Sequence, residues 1–195
     1  MGVATLTRSQ ANFVLLIAAI IWGTTFVVQK LVFINESQLG LFTFTALRFG
    51  LGALVVLPFA LYEKTKSYDP INFKIYIIFF CIGAILFVAL VLQQKGINLT
   101  TVTNAGFLTG LYVVIVPGLA LIIFRKQPHW SVWPSSCGCI CGLFLLNGGT
   151  LSEIASGDLW VILSSFFWAL HVILVGVIAA SSGRPLTLAC VQFSA

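Results

Sequence analysis

The side chains best suited to chemistry in this chain are indoles, amides, hydroxyls and one imidazole set inside long apolar runs. Trp22, Thr25 and Gln29 stand at i, i+3 and i+7, which places all three on one helical face. Ser164, Trp168 and His171 form a second stripe of the same length. Asn104 and Tyr112 lie eight residues apart, slightly over two turns, so they fall within about 80° of each other and ~12 Å apart along the axis. Gln93, Gln94 and Lys95 close the apolar run before them. Polar stripes at membrane depth face protein or a water-filled cavity rather than lipid. Each stripe therefore has two uses, hydrogen bonding to a passing solute or bonding to a neighbouring helix. His171 adds a third, proton coupling, because imidazole titrates near neutrality.

Arg48 is the other ionisable group well inside an apolar run, about eight residues from its start, or ~12 Å deep. Burying it costs roughly 2.5–3.5 kcal/mol on insertion scales, so it needs a partner. Carbonyls of neighbouring helices, a snorkelling route outward, or a bound anion would each serve. No Asp or Glu lies deep in any run. A site for lipophilic cations wants such a carboxylate, so a neutral, zwitterionic or anionic small molecule fits better than a cationic one. The glycine pairs Gly106/Gly110 and Gly138/Gly142 have the GxxxG spacing that admits a neighbouring backbone. Pro117 removes one backbone donor and frees the carbonyl near Val113, a place for a kink or hinge.

Other chemistries find little support. Cys137, Cys139 and Cys141 resemble a metal ligand set, but alternate members point ~200° apart on a helix, and no His lies within a turn of them. Small-residue packing explains them, and no metal or cofactor is expected. No glycine-rich phosphate loop, clustered carboxylates or Ser/His/Asp set supports an enzyme reading. Asn35 and Asn98 begin glycosylation sequons too short to decide modification.

The elements that must position these residues are membrane-crossing helices. Of 195 residues, 59% are hydrophobic and 8% charged, with a mean hydropathy of +1.09. A soluble domain carries roughly a quarter charged residues, so this surface cannot be covered in water. The net charge of +5 reads as topology and not as a nucleic-acid signal. A crossing needs about 20 largely apolar residues, and the runs fall at 13–33, 40–62, 73–94, 101–124, 130–147 and 158–180. A polar loop at 35–38, a charged linker with Asp69-Pro70, a break at Lys95-Gly96, a turn at 125–129 with Pro128, and a small-residue loop at 148–157 separate them. Residues 186–195 begin a seventh run, half of what a crossing needs, so the chain reads as a truncated product or a fragment.

With the N-terminus inside, Arg8, Lys64, Lys66, Lys74, Arg125, Lys126 and Arg184 lie on the inner side, and only Lys30 and Lys95 on the outer. Positive residues favour the cytoplasmic side, so a multi-pass protein of the plasma (inner) membrane with a cytoplasmic N-terminus is expected. The stretch around Trp22 recurs around Trp168, and Leu47-Arg48-Phe49 recurs as Val191-Gln192-Phe193. Five spans is an odd number, so a second copy runs upside down. Inverted repeats place a transporter's substrate site near the midplane between the copies.

Trp22-Gly-Thr-Thr-Phe26, Leu47-Arg-Phe49, the stretch from Asn104 to Pro117, and Gly157-Asp158 followed by Trp168-Ala-Leu170 resemble the EamA family of the drug/metabolite transporter superfamily. The resemblance covers nearly the whole chain. It implies an all-α fold of ten spans in two inverted five-helix repeats, with both termini cytoplasmic, exporting or exchanging small metabolites without ATP. On that basis residues 1–12 are a cytoplasmic segment, 13–147 a complete first repeat, 148–157 a loop and 158–195 the start of the second repeat, whose remaining helices are expected as partners. Trp22, Thr25, Gln29, Gln94, Asn104, Tyr112, Trp168 and His171 are the expected pathway residues. The alternatives are a non-transporting membrane fragment or subunit and, further off, a membrane-embedded enzyme.

Overall fold

The computed structural model describes residues 7–34, 40–66, 71–125, 127, 129–146 and 155–195. The expectations for the first six residues, the 35–38 loop, Asp69-Pro70, Lys126, Pro128 and positions 147–154 lie outside them. Eight helices make up the described chain: α1 (Arg8–Ile34), α2 (Leu41–Lys66), α3 (Phe73–Leu99), α4 (Val102–Gly110), α5 (Tyr112–Phe124), α6 (Val132–Leu146), α7 (Ser156–Ser182) and α8 (Pro185–Ser194). No strand occurs among the described residues. Backbone groups in hydrocarbon must be satisfied within the segment, which leaves the helix as the local solution for such apolar runs.

Five stretches are long and apolar enough to cross a membrane: α1, α2, α3, α4 with α5, and α7. The molecule is an all-α, multi-pass membrane protein. Its apolar outer surface, including Phe13, Leu16 and Ile20 on α1 and Leu54 and Val55 on α2, is in contact with lipid. The expected fifth crossing, α6, has 15 helical residues, or ~22 Å at 1.5 Å per residue. Even so, the C-terminal end of α3 and the N-terminal end of α7 meet at one face, as the contacts below show. The chain leaves that face through α4 and α5 and returns through α6.

Two boundaries differ from the sequence expectation. Helix α3 does not break at Lys95-Gly96 but runs on to Leu99. A glycine inside a helix costs only about 1 kcal/mol, and here its bare Cα is used. A Cβ on Gly96 would stand 2.8 Å from the Gly157 carbonyl oxygen, and one on Gly157 would stand 2.6 Å from the Leu99 carbonyl carbon. Gly157 likewise belongs to the first turn of α7 and not to the preceding loop. Secondly, the fourth span is two helices meeting at Leu111, one and a half turns before Pro117. There the bonds tighten, Leu111 N–H to Leu108 O at 3.2 Å and Val114 N–H to Leu111 O at 2.9 Å. Proline cannot bond the carbonyl four residues back and crowds it, so the distortion falls on the turn preceding Pro117.

Lipid is as apolar as leucine, so helices associate in a membrane through close packing and hydrogen bonds. The most extensive helix contact is α3 against α7, followed by α2 against α8. The α3–α7 contact uses Gly96 and Gly157, and α3 meets α8 at Gly83, where a Cβ would lie 2.8 Å from the Gln192 Cα. Among the described residues the expected GxxxG pairs play no such part. A Cβ on Gly106, Gly110 or Gly138 would meet nothing within 4 Å, and one on Gly142 would make an ordinary 3.8 Å contact with Phe107. The spacing alone does not say which way the small face turns.

Candidate functional site

At the end where α3 stops and α7 starts, the charged groups Lys30, Lys95 and Asp158 each have a partner. Thr100 donates its hydroxyl to the buried Asp158 carboxylate, whose other oxygen accepts from the Ala155 N–H at 3.1 Å. An acidic residue in the first turn suits the exposed N–H groups there. Lys30 reaches from α1 and donates to the carbonyls of Ile97, Asn98 and Thr100 at 2.8, 3.0 and 2.9 Å. It thus covers the carboxyl end of α3, where the helix dipole favours a cation. The Lys95 ammonium sits 3.7 Å from the centre of the Trp160 ring.

Nearer the middle of the bundle a row of rings links three helices. Tyr112 on α5 lies 6.0 Å from Trp22 on α1 between ring centres, Trp22 lies 5.6 Å from Trp168 on α7, and Trp168 meets His171 edge-on at 6.0 Å. The i, i+3 spacing of Trp168 and His171 puts them on one face. The Val161 and Ala169 faces of α7 are fully buried, which fixes its rotation. Ser165 adds a bond to the Leu108 carbonyl on α4 at 2.7 Å. His171 Nε2 stands 3.0 Å from Gln192 Oε1 on α8. An amide oxygen only accepts, so Nε2 donates and Nδ1 is left as a bare acceptor.

Two atoms in this row have no partner among the described residues, Trp168 Nε1 and His171 Nδ1, and both are buried. Leaving a buried donor or acceptor unsatisfied costs about 1–3 kcal/mol. On the near side of Trp22 a cavity of about 470 Å³ opens between α1, α4 and α5. Trp22, Phe26, Gly106, Thr109, Gly110 and Tyr112 line it, which gives the bare faces of Gly106 and Gly110 a location. A larger cavity of about 640 Å³, apolar and lined by α2, α3 and α8, touches none of the eight expected pathway residues.

The expected pathway set is therefore divided. Trp22, Tyr112, Trp168 and His171 come together. Gln29 is buried, but its amide donates to the Thr25 carbonyl at 3.1 Å on its own helix, and Thr25 donates to the Trp22 carbonyl at 2.6 Å. Gln94 donates to Asn98 Oδ1 at 3.2 Å, also within its helix. Asn104 is placed by its N–H, which donates to the Thr101 hydroxyl at 3.1 Å, and it is not part of the lining that includes Tyr112. Arg48 bonds no carbonyl among the described residues. Its guanidinium lies over the Phe49 ring, 5.2 Å from the centre, a cation–π contact. Cys137 and Cys141 are exposed and Cys139 half-buried. Among the described residues no group of three His, Cys, Asp or Glu is placed to hold a metal.

Sequence reasoning did not find Gln192 as a partner of His171, although it noted its likeness to Arg48. It also read Lys30 as a topology signal only. Gln93, which donates to Thr109 at 3.0 Å in a buried link between α3 and α4, proved to be structural.

A sequence model of the EamA-like transporter family matches residues 9–148. An uncharacterized transporter of Archaeoglobus fulgidus is 29% identical over 175 residues, which make up 89% of this chain and 51% of the relative. The chain thus spans about half the length of that relative. No solved structure matches it.

Proposed function

The chain belongs to the EamA-like transporter family, and from that premise we propose that it forms part of a secondary transporter moving a small metabolite by alternating access. Residues 13–147 act as one five-helix repeat, and residues 158–195 are the opening helices of a second, inverted one. In this reading, helices equivalent to α3 through α6 complete the second repeat.

One observation carries the reading: positions that correspond between the two copies meet each other. Trp22 touches Trp168 at 5.6 Å between ring centres, and Phe49 touches Phe193 at 5.5 Å. Equivalent residues contact one another only where a two-fold axis passes, as in an isologous interface. The corresponding helices α2 and α8 also run in opposite directions. Glu63, near the end of α2, accepts from the N–H groups of Leu186 and Thr187 at the start of α8, at 3.0 and 2.7 Å. Antiparallel equivalents fit an axis in the membrane plane, where inverted-repeat transporters keep their substrate.

The pathway then runs along the Tyr112, Trp22, Trp168 and His171 row, with Thr25, Gln29, Gln94 and Asn104 as flanking contributors. The N-terminus is cytoplasmic and the membrane is the plasma (inner) membrane. The solute is neutral, zwitterionic or anionic, since no carboxylate accompanies the row. Cells with and without the protein, expressed from its complete reading frame, should differ in their exported or accumulated metabolites. Vesicles made with His171→Leu should move the metabolite so identified at a small fraction of the unsubstituted rate at equal protein content. Unchanged transport by His171→Leu removes the proposed pathway.

A further inference from the structure

Trp22 occupies the boundary between two unlike places. On one side is the α1/α4/α5 cavity, whose wall it forms with Tyr112. On the other are Trp168 Nε1, a donor, and His171 Nδ1, an acceptor, both buried and both without a partner among the described residues. His171 is 8% exposed. Neither atom has surface open to water, so a water molecule in the cavity cannot satisfy either. Membrane-embedded polar groups left in this state are better accommodated in a second arrangement that supplies their bonds. The cavity wall reaches this pair through one ring contact, Trp22–Trp168 at 5.6 Å. A Cβ on Gly23, the residue after Trp22, would meet nothing within 4 Å, so the backbone beside the indole is not held by close neighbours.

Building on the pathway reading above, we propose that Trp168 and His171 form a concealed hydrogen-bonding site for an uncharged solute group that both accepts and donates, a hydroxyl or a primary amide, and that Trp22 is the gate over it. The group accepts from Trp168 Nε1–H and donates to His171 Nδ1, while Gln192 holds the imidazole in the tautomer that leaves Nδ1 bare. Displacement of Trp22 joins the cavity to the site. Neither a carboxylate nor a quaternary ammonium can make both bonds, because the first only accepts and the second does neither.

Histidine acylation by diethyl pyrocarbonate, read residue by residue by mass spectrometry, tests this on the purified protein in detergent. His129 lies exposed before α6 and serves as the reference in the same chain. His171 should react at least ten-fold more slowly than His129 in the unsubstituted protein. It should approach the His129 rate in Trp22→Ala and stay slow in Trp22→Phe, which keeps a ring over the site. If Trp22→Ala is not monodisperse, Trp22→Leu takes its place. Acetamide should then slow His171 acylation several-fold in the opened variant, whereas acetate and tetramethylammonium should not. Rapid acylation of His171 without substitution, or no change on removing the indole, overturns the gate. Absent protection by acetamide, or equal protection by either ion, overturns the solute class. Acylation is read without transport, so a protein that moves nothing yet shows this pattern would sink the transport reading and leave the gate standing.

Discussion

The α3–α7 seam and the aromatic row lie on the same helix, α7, yet they are built on opposite principles. At the seam, glycine backbones touch, Asp158 has two donors, and Lys30 satisfies three carbonyls. About three to four turns further along, the row brings rings together loosely and leaves an indole N–H and an imidazole nitrogen unbonded among the described residues. Close packing and satisfied polar groups make a contact with one arrangement. Unsatisfied polar groups beside a ring contact do not fix one arrangement in that way. In the proposed transport reading, the seam is the fixed part and the row the working part.

Substitutions that add to or subtract from each region should therefore differ in kind. The largest loss of stability is expected from Gly157→Ala, because its Cβ would meet backbone at 2.6 and 2.7 Å. Overpacking of this kind costs about 1–3 kcal/mol or somewhat more, read as a lower thermal unfolding midpoint in detergent. Gly106→Ala, with open space around it, should leave the midpoint where it was. Asp158→Ala comes next at about 2 kcal/mol, since it strands the Thr100 hydroxyl and the Ala155 N–H. A Thr100→Val, Asp158→Ala double variant should lose less than the sum of the two singles. Lys30→Met should cost about 1 kcal/mol, a charge-assisted set discounted because the site is partly open. The smallest change in stability is expected from Trp168→Phe, within about 0.5 kcal/mol of zero, because relief of an unsatisfied buried N–H offsets the ring packing lost against Trp22 and His171. Its transport should nevertheless fall several-fold in vesicles. If Trp168→Phe destabilises as Asp158→Ala does, the contrast between the two regions is wrong.

The helices were legible because hydropathy and length are properties of contiguous residues. The boundaries missed were those where a glycine served a neighbour. Gly96 and Gly157 read as breaks from sequence but function as contact points, since the backbone that meets each is some sixty residues away. The site was half legible for a related reason. The i, i+3 and i+7 stripes did lie on common faces, but a stripe does not say what its face meets. Gln29 and Gln94 turned their amides back onto their own helices, a local option open to any side chain within a turn of a carbonyl or amide.

By itself, the sequence determined a helical membrane protein and the apolar runs that become its helices, and it offered the likeness of the stretches around Trp22 and Trp168 on which the proposed repeat rests. Each of these follows from residue type and order along one chain. Only the tertiary structure decided that the rings of Trp22 and Trp168 and of Phe49 and Phe193 touch, that Gln192 takes one nitrogen of His171 and leaves the other bare, and that Lys30 covers the end of α3. Those contacts join residues 21 to 146 positions apart. They depend on how each helix is rotated about its axis against its neighbours, which no local pattern specifies.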